Sequence, residues 1–77
     1  MKSILNFTAI IEKEDDGYVA LCPELDIASH GDTVEEAKTN LQEAIELFFE
    51  HASKNETGYR LKNDIFITNM QIAVRQA

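Results

Sequence analysis

The stretch Gly31-Asp32-Thr33-Val34-Glu35-Glu36-Ala37 begins the only segment of this 77-residue sequence that has helical periodicity, and the segment continues to Ala52. Thr33 and Glu36 have the spacing of a capping box, in which the threonine hydroxyl accepts a first-turn N–H group and the glutamate accepts the amide of the cap residue. Apolar side chains then recur every three or four positions and share one stripe of a helix. These are Val34, Ala37, Leu41, Ala44, Ile45, Phe48 and Ala52. We therefore predict an amphipathic helix with one buried face.

The opposite face of the predicted helix is acidic. It carries Glu35, Glu36, Glu43, Glu46 and Glu50. The whole chain has 14 acidic and 7 basic side chains, which give a formal net charge of −7. A charged outer face keeps a small protein in solution, but it also attracts a basic protein partner. We predict partner binding at Glu43, Glu46 and Glu50, with Asp15 and Asp16 as a second candidate contact.

Before the helix, the sequence predicts a β-meander. Residues from Ile4 to Glu12 alternate between apolar and polar side chains, as in a half-buried strand. A turn at Glu14-Asp15-Asp16-Gly17, in which Gly17 is able to take positive φ, leads into a second strand from Tyr18 to Cys22. Pro23 ends that strand because it has no N–H group to donate. A short third strand spans Ile27 to His30.

After the helix, period-two alternation returns from Asp64 to Val74 and predicts a fourth strand. Residues 1–77 thus form a single α+β domain with the order β-β-β-α-β, since a chain of this length builds only one core. One helix covers only one face of an antiparallel sheet. The uncovered face is expected to carry apolar side chains that support self-association as a dimer or tetramer; scattered surface hydrophobes are the alternative. They are Ile4, Ile10, Tyr18, Cys22, Ile65 and Ile67, and we name all except Cys22 as self-association residues.

Composition also argues against several functions. The acidic balance is unfavourable for direct nucleic-acid binding, which depends on Lys and Arg. The single cysteine, Cys22, excludes an intramolecular disulfide, and His30 and His51 are too few to indicate a zinc site. No apolar run approaches the roughly 20 residues of a membrane span, so we expect a cytoplasmic protein. The acids fall mainly in turns, and we predict no catalytic residues, metal or cofactor; a divalent-metal nuclease is the least favoured alternative.

Several spaced motifs resemble the HicB family of toxin–antitoxin antitoxins. The resemblance extends from Ile4 to Phe49 and rests on the following residues: Asp16-Gly17-Tyr18, Cys22-Pro23-Glu24-Leu25, Gly31-Asp32-Thr33 with Glu35-Glu36-Ala37, and Asn40-Leu41 with Glu43-Ala44-Ile45. It implies a partial RNase H-like fold with the helix packed on one sheet face. It also implies that the protein neutralises HicA, a small basic messenger RNA ribonuclease, within a self-associating complex.

The sequence departs from the HicB pattern at two places. Asp26-Ile27-Ala28 stands where many members have Pro-Gly-Cys, and the longer members continue into a DNA-binding module beyond the position of Ala77. We therefore expect no direct DNA binding from this chain. The sequence predicts a non-enzymatic, antitoxin-like binding protein that occludes a HicA-like toxin. The alternative is an orphan structural or regulatory oligomer that has no toxin partner.

Overall fold

The computed structural model describes residues 4–52 and 65–76. Within them, three strands precede one helix: β1 at Ile10–Glu14, β2 at Gly17–Cys22, β3 at Ile27–Gly31 and α1 at Val34–His51. The strands form an antiparallel sheet in the order β1-β2-β3, and α1 packs on one face of it. The predicted α+β class, the three-stranded meander and the helix that follows it are confirmed.

The helix begins at the predicted cap. The Thr33 hydroxyl accepts the Glu36 amide at 3.0 Å, and the Thr33 carbonyl accepts the Ala37 amide at 2.9 Å. The Glu36 carboxylate accepts the amide of Asp32 at 3.1 Å, one residue before the cap, and not that of Thr33 as the capping box predicted. The amides of Glu36 and Asp32, which have no acceptor within the helix, are thus bound by side chains. The first turn of α1 is therefore fixed to the end of β3.

The β1–β2 turn differs from the prediction in one respect. Glu14 pairs with Gly17, so the turn consists of Asp15 and Asp16 alone. Asp15 has the positive φ in this turn, at 52°, and no described glycine has one, so the turn does not use the conformational freedom of Gly17. Aspartate tolerates this backbone region better than most residues. Gly17 is needed instead for close approach, because a Cβ there would lie 2.8 Å from the Gly31 carbonyl oxygen.

The core lies between the sheet and α1. Its fully buried members are Ala20, Cys22, Leu25, Ala37 and Leu41, and its partly buried neighbours are Phe7, Ile11, Tyr18, Ile27, Ile45, Phe48 and Phe49. Val34 was predicted on this stripe but is 42% exposed, so the packed stripe starts one turn later at Ala37. The Asn40 side-chain amide donates to the His30 carbonyl at 2.8 Å and adds a polar link between α1 and β3.

Strand register corrects the predicted uncovered face. Ile11, Ala20 and Ser29 are paired across the three strands, and Tyr18 and Cys22 lie on the same side as Ala20, facing α1. Their assignment to the uncovered face was therefore wrong. The residues of β2 are nearly all apolar, so alternation in the sequence does not reveal which face is buried. The uncovered face carries Ile10, Val19, Leu21 and Ala28, together with Glu12 and His30.

The first predicted strand is longer than β1 in the structure. The first strand begins at Ile10 and not at Ile4, because further pairing would bring β1 opposite Pro23, which has no N–H group to donate. The fourth strand was predicted from Asp64, which lies outside the described residues, to Val74. Residues 65–76 form neither helix nor strand and are exposed throughout. In the described part of the chain, no helix combines the length and apolar character needed to cross a membrane.

Candidate functional site

An open apolar groove lies between residues 5–9 and α1. It has a volume of about 860 Å³. Its apolar lining consists of Leu5, Phe7, Ala9, Leu41, Ile45 and Phe49, and Lys38, Gln42, Glu46 and Glu50 also line it. The Phe7 and Phe49 rings contact each other, with centroids 5.8 Å apart. The groove exists because α1 packs mainly over β3 and β2 and barely contacts β1.

Glu24 holds the segment that forms one wall of this groove. Its carboxylate accepts the Thr8 amide, at 3.1 Å to each oxygen, and the Thr8 hydroxyl at 2.7 Å. It also accepts the Cys22 thiol at 3.5 Å. The carboxylate supplies an acceptor for the backbone N–H group of Thr8, which lies beyond the end of the β1–β2 ladder at Ile10 and Leu21. The Cys22-Pro23-Glu24-Leu25 motif therefore joins residues 4–9 to the β2–β3 turn.

The protonation of this cluster follows from its contacts. Burial raises the pKa of Glu24, but the hydrogen bonds donated by the Thr8 hydroxyl and by backbone amides outweigh it, so the pKa lies below its ordinary value. Burial raises the pKa of Cys22, and the adjacent Glu24 carboxylate adds to that effect. Since only a thiolate is strongly nucleophilic, the buried Cys22 thiol has a structural environment and not a reactive one.

The lowered pKa of Glu24 predicts a specific loss of stability in acid. The ionised carboxylate stabilises the folded chain above the ordinary pKa of 4.5, and this contribution is lost as the pH falls through the lower folded value. In NMR titration, we expect Glu24 to titrate below pH 4.5. The variant E24Q should lose this part of the acid dependence of urea unfolding. E50Q, on the exposed face of α1, is the control, and an equal change in both variants would contradict the assignment.

The structure separates the two acidic surfaces that the sequence predicted. Asp15 and Asp16 lie at the hairpin turn and share a shallow depression of about 520 Å³ with His30 and Asp32, beside the start of α1. Glu46 is twelve residues beyond Val34, or about 18 Å farther along the helix axis. Glu43, Glu46 and Glu50 are all exposed on α1, and Glu46 and Glu50 also lie at the groove. The two sets therefore form separate surfaces at opposite ends of the domain.

The predicted self-association residues are also distributed over different places. Ile4 is 93% exposed, Ile10 is half-buried on the uncovered face, and Ile65 and Ile67 are exposed. Tyr18 packs against the core on the α1 side. Self-association through any of them stays a prediction. Sequence reasoning missed the groove and the role of Glu24, although the motif that contains Glu24 was recognised.

Among residues 4–52 and 65–76, no three His, Cys, Asp or Glu side chains come together in a group that could hold a metal ion. The absence of an enzymatic role stays a prediction.

The fold and groove define a class of small α+β domains in which one helix covers one face of an antiparallel meander. This chain belongs to the UPF0150 family. It is 38% identical over 66 residues to a UPF0150 protein of Helicobacter pylori, an alignment that covers 84% of this chain and 92% of that protein. It is 55% identical over 51 residues to a UPF0150 protein of Synechocystis, and this alignment covers 64% of this chain and 65% of that relative.

A second UPF0150 protein of Synechocystis is 56% identical over 45 residues, which cover 56% of this chain and 62% of the relative. The chain thus aligns with somewhat less than two thirds of each Synechocystis protein. No family model matches the chain, and no solved structure matches it.

Proposed function

We propose that this protein is a cytoplasmic, non-enzymatic, antitoxin-like module that occludes a small basic ribonuclease of the HicA type. The observation that carries the proposal is a surface of α1, called here the acidic row, that consists of the exposed side chains Glu43, Glu46, Leu47 and Glu50. Glu43, Glu46 and Glu50 are three and four residues apart and therefore lie along one side of the helix. Complementary charge of this kind accelerates the encounter with a basic partner and orients it.

An apolar side chain lies within the acidic row. Leu47 is 54% exposed and is four residues from Glu43 and three from Glu50, so all three share one surface of α1. Interfaces commonly place an apolar contact at the centre and charges at the rim. The acidic row therefore has the composition of a docking surface for a basic protein. The hairpin turn has acids but no exposed large apolar side chain among its described residues.

Charge reversal tests this assignment. Changing Glu43, Glu46 and Glu50 to Lys should slow association with a purified HicA-type ribonuclease by about tenfold or more at low salt and reduce the salt dependence of the rate. Changing Glu14, Asp15 and Asp16 to Lys alters the net charge by the same amount at the hairpin turn and is the matched control. Stopped-flow association rates at several salt concentrations are the measurement.

The helix variant and the hairpin variant distinguish the two candidate docking surfaces, which are the acidic row and the hairpin turn. If the hairpin variant is slowed as much as the helix variant, the acidic row is not the docking surface. Growth rescue when the wild-type chain is co-expressed with the same toxin is the cellular counterpart, and inhibition that titrates at a fixed ratio of chain to toxin would support occlusion without turnover.

The second candidate function is a structural or regulatory oligomer without a toxin partner. The exposed apolar side chains of residues 65–76 favour it. A protein that self-associates but fails both to bind and to neutralise HicA-type toxins would favour this alternative over the antitoxin.

A further inference from the structure

The segment of residues 65–76 has the pattern of a strand but no partner in the described chain. Its most exposed large apolar side chains are Phe66, at 88%, Met70, at 83%, and Ile72 and Val74, each at 67%. These four positions are an even number of residues apart, so they share one face of an extended chain. Monomeric proteins seldom leave so regular an apolar row in water. The segment therefore has one face that is suited to burial against another surface.

The groove beside β1 has the complementary shape and chemistry. β1 pairs with β2 on one side only, and on its other side it has no strand among the described residues. An open edge offers backbone N–H and C=O groups to an added strand. Because α1 is displaced toward β3, the aromatic and aliphatic side chains of the groove flank this open edge.

The length and the charge of residues 65–76 also match those of the groove. Residues 68–74 span about 20 Å when extended, and the part of α1 that lines the groove, from Lys38 to Glu50, spans about 18 Å. The segment contains no acidic residue and has one cation, Arg75. Glu46 and Glu50 at the groove supply two acids against the single Lys38.

We propose that residues 65–76 of one chain dock as an added strand in the groove of a second copy, in a reciprocal dimer. In the structure, residues 65–76 are not among the residues that line the groove of their own chain, and they are all exposed. A two-fold arrangement lets each chain donate one segment and accept another, so that both grooves are filled by the same contacts. This proposal does not depend on the presence of a toxin.

The first test changes the two faces of the segment separately. The double variant M70D/I72D places charges on the apolar face, while N69D/Q71D adds the same charge at neighbouring positions of the other face. Light scattering coupled to gel filtration should give about twice the 8.7 kDa chain mass for the wild type and for N69D/Q71D. M70D/I72D should give the mass of one chain, with its far-UV circular dichroism unchanged. A wild type with the mass of one chain, or a dimeric M70D/I72D, would overturn the proposal.

The second test distinguishes exchange between chains from docking within one chain. Q42C places a thiol in the groove, and T68C places one on the apolar face of the segment, while native Cys22 is buried. A short bismaleimide should join the two thiols across chains in the double variant and yield a covalent dimer under denaturing conditions. A product linked within a single chain, or no linkage, would show that the segment does not occupy the groove of a second copy. The single variants Q42C and T68C are the controls for nonspecific linkage.

Discussion

Replacing Leu41 by alanine is expected to lower the free energy of unfolding by about 2–5 kcal/mol. Leu41 is 2% exposed and belongs to the five-residue buried core, where it also forms part of the groove. The cost combines the lost transfer free energy of the side chain with the cavity that it leaves. A domain of this length has a total stability of about 4–11 kcal/mol. L41A should therefore unfold at a much lower urea concentration than the wild type, as followed by helical circular dichroism.

The same helix contains a matched control. Leu47 is 54% exposed on the outer side of α1, so L47A should change the unfolding free energy by no more than about 0.5–1 kcal/mol. Equal destabilisation of L41A and L47A would contradict the burial of the Leu41 face of α1 against the sheet. L47A also separates stability from function, because the proposed acidic row predicts weaker toxin binding by a variant that remains folded.

The helix was predictable because its signals are local. The cap depends on Thr33 and Glu36, which are three residues apart, and the buried stripe at Ala37 and Leu41 follows from helical periodicity. The positions of Glu43, Glu46 and Glu50 on the exposed side follow from the same periodicity. The acidic candidate surface on α1 could therefore be located from the sequence, whereas its partner could not, since complementary charge identifies only a class of protein.

The faces of the sheet were less predictable because β2 lacks alternation. Tyr18 and Cys22 were placed on the uncovered face, and only the register with Ile11 and Ile27 shows that they face α1. The role of Glu24 was hidden for another reason. Its carboxylate accepts hydrogen bonds from Thr8, sixteen residues away, and no local pattern encodes that pairing.

The fourth strand shows a different limit of sequence reasoning. Period-two alternation indicates a strand with two unlike faces, but it does not specify which edge the strand joins or whether that edge belongs to the same chain. Residues 65–76 have the alternation without the pairing in the structure. The proposed exchange between two copies would supply the partner that the pattern requires.

The variant G31V is expected to lose about 3 kcal/mol or more of unfolding free energy, although valine has the higher β-propensity. A Cβ at Gly31 would lie 2.6 Å from the Ala37 nitrogen and 2.8 Å from the Glu36 carbonyl carbon. These are backbone atoms of the first turn of α1, so the helix itself would have to move away from β3. That movement would also disturb the cap links of Asp32 and Thr33, which fix the two elements together.

The variant A28V provides the contrast within the same strand. Ala28 is exposed on the face that α1 does not cover, so valine there gains β-propensity without approaching the helix and should change stability by less than about 1 kcal/mol. Urea unfolding of both variants, followed by circular dichroism, shows whether the β-propensity of valine or the close packing of β3 against α1 determines the stability. A G31V protein as stable as A28V would mean that β3 and α1 are not in the close contact on which the position of the helix, the groove and the acidic row all depend.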